Sequence, residues 1–225
     1  MDEATLRGIA AQLARPSGEG AETVAAAMNE VNNAITARAI GTLAPRAGEF
    51  IAEIGPGNGA LSVPIVDALG DDGRYFGIEL SNDMARAAAV TLRAMGTARV
   101  DIYNGDCLSA PVSAASLDGL IAVNLLYFID DLSGLFGQIA NWLKPDGRAV
   151  FGVRSPEALN AMPFTQYGFR IRPLAEIETA LRESGLTNIA AAYHDEGTTR
   201  FAEQEIPVDS IVIEARARLA TASQK

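Results

Sequence analysis

The chain has 225 residues, 48% of them hydrophobic and 20% charged, with a formal net charge of −10. That is enough apolar material for the core of one large domain or two small ones. The acidic excess argues against partners held mainly through phosphate contacts, both nucleic acid and anionic membrane surfaces. Cys107 is the only cysteine, so an internal disulfide is excluded and a reducing, cytoplasmic setting is expected. The opening "MDEATLRGIA" lacks the long apolar core of a secretory signal, and no uninterrupted apolar run reaches the length of a bilayer span. Neither internal repeats nor low-complexity segments stand out.

In chain order, residues 1–20 read as a short helix that breaks at "RPSGEG". In "AETVAAAMNEVNNAITARAIGTLAP", Val24, Met28, Val31, Ile35 and Ile40 recur at helical spacing and Pro45 follows the end. This predicts a helix that lays one stripe on a larger body. From there strands and helices alternate. "FIAEI" (50–54) is a short apolar strand, and "NGALSVPIVDALG" a helix with Pro64 in its first turns. "RYFGIEL" (74–80) is a second strand; Ser81 caps the helix that follows and Gly96 stops it. "ARVDIY" (98–103) is a third strand. The fourth lies in "LDGLIAVNLLY" (117–127), almost wholly apolar, as suits a strand covered on both faces. Leu132, Leu135, Phe136, Ile139, Trp142 and Leu143 then fall on one helical stripe before a "PDG" turn. "RAVFGV" (148–153) is the fifth strand. An aromatic-rich connection leads to a helix opened by Pro173 and ended by Gly185. "TNIAAAYH" and "DSIVIEARA" close the chain as two strands too near each other for a helix between them, hence antiparallel neighbours.

Regular alternation of this kind specifies an α/β fold, a parallel sheet with helices on both faces and right-handed crossovers. Ligands in such sheets bind beyond the carboxyl ends of the strands, where strand order reverses. The first strand runs into "EIGPGNGA", with Gly55, Gly57 and Gly59 in five positions. A dinucleotide fingerprint would place its third glycine at Ala60, and Ala is tolerated there. Glu53 discriminates better. A carboxylate two residues before the loop would repel a pyrophosphate and attract an ammonium group. Glu79, ending the second strand, sits where a carboxylate accepts hydrogen bonds from ribose hydroxyls, although dinucleotide proteins use the same device. Asp106, after the third strand, lies where an adenine amino group could donate to it.

Taken together, these residues resemble class I methyltransferases dependent on S-adenosyl-L-methionine, by motif over roughly residues 45 to 155. The resemblance implies a Rossmann-like three-layer sandwich with a seven-stranded, mostly parallel sheet of order 3-2-1-4-5-7-6 and an antiparallel last strand. It implies one methyltransferase domain over 1–225, with a helical cap (1–44), a cofactor-binding core (45–155), and an acceptor-side cover with the closing strands (156–225). It assigns the methionine end of S-adenosyl-L-methionine to Glu53, Gly55, Gly57 and Gly59, and the ribose to Glu79. Leu80 and Asp106 would meet the adenine, with Cys107 beside them, and Asn124 would touch the methionine moiety and open toward the acceptor. S-adenosyl-L-homocysteine would be the product.

The sulfonium methyl is already electrophilic, so alignment and exclusion of water carry most of the catalysis. A base is required only where the acceptor loses its proton in the transition state. Candidate bases are Tyr127, His194 (the only histidine) and Glu30. Asn29, Asn33 and Glu30 lie on the helix that often closes over the site in this family. Phe164, Tyr167 and Phe169 in "MPFTQYGF" resemble a variable acceptor cover, so Asn29, Tyr127, Phe164 and Tyr167 are the expected substrate contacts. "NLLYFIDD" after the fourth strand is not the N-P-P-Y motif of nucleic-acid amine methylation, and no cluster of metal ligands is evident. The expectation is methyl transfer to an apolar or aromatic small molecule. The alternatives are a non-catalytic S-adenosylmethionine-binding protein and a nicotinamide-dependent oxidoreductase. The sequence is silent on the atom methylated and on oligomeric state.

Overall fold

A computed structural model of the chain describes residues 1–201 and 204–219. Its strands are β1 (Phe50–Ile54), β2 (Arg74–Glu79), β3 (Arg99–Asn104), β4 (Leu117–Val123), β5 (Leu143–Val153), β6 (Thr187–Phe201) and β7 (Gln204–Arg216). The helices are α1 (Glu3–Ala14), α2 (Ala21–Leu43), α3 (Val63–Leu69), α4 (Asn82–Met95), α5 (Leu132–Trp142), α6 (Pro156–Asn160) and α7 (Leu174–Glu183). The strands form one sheet of order β3-β2-β1-β4-β5-β7-β6. β1 to β5 run parallel; β7 is antiparallel to both β5 and β6. This is the expected Rossmann-like three-layer sandwich.

The period of two along each strand divides the core. Ile51, Tyr75, Val100, Ile121, Val150 and Val212 face one way, under α2, α3 and α4. Ala52, Phe76, Leu120, Phe151 and Ile213 face the other, under α5 and α7. On α5 the stripe Leu132, Leu135, Phe136, Ile139 and Trp142 is buried as its spacing predicts. Glu53 falls on the face of Ile51, and Glu79 on the face of Tyr75, because each follows at an even interval.

Two local expectations change. The core seam of α2 is Ala25, Ile35, Thr36, Ala39 and Leu43, whereas Val31 is 45% exposed. Ile35 and Leu43 press on the sheet at Gly152 and Gly119, where a Cβ would meet each of them at 3.0 Å, and Val31 lies off this seam. The closing strands also run longer than their apolar patterns. Pairing with β5 ends at Ile211, so residues 204–210 of β7 pair in the sheet only with β6. A two-stranded extension with solvent on its outer side needs no apolar run, and it accepts Gly197 and Pro207 beside a register shift between Asp195 and Thr198.

Buried arginines tie α2 to the sheet. Arg148 donates to Glu49 Oε2 (2.6 Å) and to the Leu43 and Ala44 carbonyls that end α2. Arg154 donates to Glu196 Oε2 (2.7 Å), to the Asp209 carbonyl and to the Val31 carbonyl (2.9 Å), and Arg38 of α2 also pairs with Glu196.

Candidate functional site

Strand order reverses between β1 and β4, so a crevice opens beyond their carboxyl ends. A cleft lies there between the 54–58 loop, the ends of β2 and β4, and the inner side of α2. Glu53, Glu79 and Asp106 all line it, and not one lining residue is Lys, Arg or His. Three carboxylates in a cleft without a resident cation suit a positively charged ligand.

Each carboxylate is held differently. Glu79 accepts the backbone N–H groups of Gly57 (3.0 Å) and Ser81 (2.8 Å), one on each oxygen. Burial raises its pKa and these N–H groups oppose the rise. It therefore joins the glycine loop to the start of α4 and keeps lone pairs for a ligand. Asp106 caps a short helical turn by accepting from Leu108 N–H (2.8 Å). Glu53 is 4% exposed, and its Oε2 accepts the Tyr75 phenol at 2.6 Å. Burial pushes the Glu53 pKa up and that hydrogen bond pulls it back. The Cys107 thiol lines the cleft but is pushed up to about 11 by burial and by Asp106, so it stays neutral at physiological pH.

The glycines divide the work. Gly55 and Gly57 line the cleft in left-handed conformations (φ 77° and 57°), which allow close backbone approach. Gly59 lies outside the lining. A Cβ there would meet Leu92 Cγ at 3.0 Å and Ala88 Cα at 3.1 Å, so the third glycine serves the packing of α4. Asn58 braces the loop by accepting from Ala60 N–H (3.1 Å) and from Asn29 Nδ2 of α2 (3.2 Å).

At the far side of the cleft Asn124 sits at φ 53°. Its Nδ2 donates to Asn32 Oδ1 (2.9 Å) and its Oδ1 accepts the Tyr127 hydroxyl (3.0 Å). Tyr127 itself accepts from Arg154 N–H, and burial raises its pKa strongly. Asn32, Thr36, Leu125, Phe128 and Ile129 complete this side. Sequence reasoning passed over Asn32, although Asn29 and Asn32, three apart on one helix, share a face. It also passed over Ser62 and Tyr75, the neighbours of Glu53.

Of the expected site residues, the cleft brings together Glu53, Gly55, Gly57, Glu79, Leu80, Asp106, Cys107, Asn124 and Asn29. The rest lie elsewhere. Tyr127 stands behind Asn124 with its hydroxyl engaged on both sides. Its position fits bracing and not proton abstraction, because a buried phenol with a raised pKa does not ionise near neutrality. Phe164 packs with Leu6 and Ala10 of α1, and Tyr167 lies under the Arg7 guanidinium, 4.4 Å from the ring centroid. These rings cover α1 and do not border the cleft; the aromatic run reads like a pocket wall until α1, far away in sequence, claims it. Glu30 and Asn33 are exposed on α2, and His194 is half-buried on the edge strand β6, opposite Ser210. No group of three or more potential metal ligands occurs among the described residues, and none of the described helices is long and apolar enough to cross a membrane.

Comparison with known proteins points to methyltransferases. The methyltransferase domain family model matches residues 51–147. Nocamycin O-methyltransferase of Saccharothrix syringae is 29% identical over 114 residues, 51% of this chain and 41% of that protein. The 27-O-demethylrifamycin SV methyltransferase of Amycolatopsis mediterranei (strain S699) is 30% identical over 171 residues, 72% of this chain and 62% of that protein. The chain thus spans about half the length of these curated relatives. Among solved structures, Haemonchus contortus phosphoethanolamine N-methyltransferase 2 in complex with S-adenosyl-L-methionine superposes with a TM-score of 0.70 at 15% identity, over 93% of this chain and 60% of that one. Motif, strand order and these likenesses converge: residues 51–147 match a methyltransferase domain, on a sheet with the strand order that the resemblance to class I methyltransferases implies.

Proposed function

We propose that the chain transfers the methyl group of S-adenosyl-L-methionine to a small-molecule acceptor. The observation that carries this reading is the cleft with no Lys, Arg or His in its lining and with three carboxylates at the carboxyl ends of β1, β2 and β3. Pyrophosphate would find no counter-charge there, whereas an ammonium group, a ribose and an adenine amino group each find an acceptor. Glu53 would face the ammonium, Glu79 the ribose hydroxyls and Asp106 the adenine amino group, with Leu80 against the ring. When bound, the cofactor supplies an electrophilic methyl; the chain's residues orient it and exclude water.

On the acceptor side the lining is apolar and amide: Met28, Asn29, Asn32, Leu125, Phe128 and Ile129. None of these six titrates. That composition supports an apolar acceptor held by carboxamides, one whose reacting group gives up its proton without a protein base. Three O-methyltransferases among the relatives favour oxygen as the reacting atom.

The test is calorimetry with S-adenosyl-L-homocysteine and NAD(H), followed by transfer of labelled methyl to a panel of phenolic and enolic small molecules, with RNA and protein pools as comparators. Saturable NAD(H) binding without homocysteine-nucleoside binding would overturn the reading. Nucleoside binding without transfer to any pool would leave a binding protein.

A further inference from the structure

Glu53 belongs to a buried polar group larger than the loop motif. Tyr75 is 0% exposed and its hydroxyl donates to Glu53 Oε2 at 2.6 Å. The other Glu53 oxygen accepts no hydrogen bond among the described residues, and Glu53 lines the cleft. The Ser62 hydroxyl, on a residue 1% exposed, lies beside both groups and is the one buried side-chain polar atom without a partner among the described residues. Gly77, next along the same face of β2, makes room: a Cβ there would meet Ile102 Cδ1 at 2.7 Å, Tyr75 Cε1 at 3.2 Å and Pro56 Cγ at 3.3 Å. The phenol ring and the loop proline thus close over a bare backbone. A core position at Tyr75 is filled equally well by Phe; a phenol is required only to reach the carboxylate.

We infer that Tyr75 is a positioning residue for cofactor recognition: its phenol anchors one Glu53 oxygen so that the other points into the cleft at the ammonium of the methionine end. This rests on the methyltransferase reading above. Free Glu53 has two states. Burial and the nearby Glu79 carboxylate favour the protonated one, and the Tyr75 phenol, with a smaller contribution from the Ser62 hydroxyl, favours the ionised one. The titratable groups facing it are Tyr75 and Glu79, both on β2; Thr36 and Asn32 of α2, Ser62, and Asn124 after β4 share the cleft and do not titrate. A bound ammonium adds a positive charge that favours ionisation. Uptake of an amino-acid-bearing nucleoside therefore releases a proton wherever free Glu53 is protonated, and affinity falls as pH is lowered. Without the phenol the free carboxyl holds its proton to a higher pH.

The experiment compares S-adenosyl-L-homocysteine with 5′-methylthioadenosine, which has the same nucleoside and no amino-acid end. Calorimetry on Tyr75→Phe at neutral pH should show a roughly tenfold loss for the first and a change within about twofold for the second. The acid limb of homocysteine-nucleoside affinity should move to higher pH in the variant. In Glu53→Gln that acid limb should vanish while 5′-methylthioadenosine binding stays, which tests the inference even if Tyr75→Phe folds poorly. Equal weakening of both ligands means that Tyr75 only supports the fold, and unchanged affinity and acid limb mean that it does not position Glu53. Either result overturns the inference. A wild-type chain that binds neither nucleoside overturns the methyltransferase reading itself and this inference with it, an outcome distinct from the other two.

Discussion

Glu79 ties the glycine loop to the start of α4 and is the residue proposed to hold the ribose. Its two oxygens already accept the Gly57 and Ser81 N–H groups, and the remaining lone pairs face the cleft. In Glu79→Ala we expect S-adenosyl-L-homocysteine affinity to fall at least tenfold, because charge-assisted hydrogen bonds are worth about 1.5–3 kcal/mol each. Thermal stability should fall in the same variant, because two N–H groups lose their partner. Calorimetry and a melting curve separate the two effects; unchanged affinity would sink the ribose assignment. The position of Glu79 was legible in the sequence, since it ends the second strand and ligands in such sheets bind beyond the carboxyl ends of the strands. Its hydrogen bond to Gly57 was not, because strand patterns say nothing about which loop N–H folds back across the sheet end. The same limit hid Tyr75: at position 75 a phenol and a plain core ring look identical until Glu53 is seen 2.6 Å away.

At the scale of the element, α2 is the part most exposed to error and the part most dependent on tertiary contacts. Its apolar pattern predicts a helix, and a helix forms; Ile35, Ala39 and Leu43 bury its inner face, and ion pairs add to its hold on the sheet. Glu196 receives Arg38 and Arg154, and Arg154 also reaches the Val31 carbonyl. Burial works to raise the Glu196 pKa, yet the hydrogen bonds from Arg154 and Ser210 and the charge of Arg38 hold it below its ordinary value of 4.5. A carboxyl lowered on folding stabilises the folded state above its unfolded pKa and loses that contribution as pH falls through the folded one. Glu196→Gln should therefore cost about 2–4 kcal/mol near neutrality, and the gap to wild type should narrow as pH drops below 4.5. Denaturant titrations across that range check it; a gap that is constant with pH would mean that the ion pairs contribute nothing. None of this cluster is visible as a motif, because its members lie on α2, just after β5, and on β6 and β7, and share no spacing.

For the whole molecule, cleft and core are coupled. The loop, α2 and the ends of β2 and β4 all border the ligand site, so occupancy should stabilise the folded chain as a unit. A ligand at one hundred times its Kd adds about 2.7 kcal/mol, which for a chain of this size corresponds to a rise in Tm of roughly 5–11 °C. Scanning calorimetry with saturating S-adenosyl-L-homocysteine should show that rise, and 5′-methylthioadenosine a smaller one. No shift with either would mean that neither nucleoside binds the folded chain.

By itself the sequence determined the α/β alternation, the parallel sheet with its antiparallel end, and the glycine loop with its acids. These follow from local periodicity and from residues a few positions apart, which a single chain displays directly. Only the tertiary structure decided which glycines line the cleft and which meet α4, that Phe164 and Tyr167 pack on α1 while Phe169 packs on Tyr127 and Phe128, and that Tyr75 and Asn32 hydrogen-bond Glu53 and Asn124. Each of those depends on groups far apart in sequence arriving at one place. Such contacts are set by packing, and packing leaves no period to read.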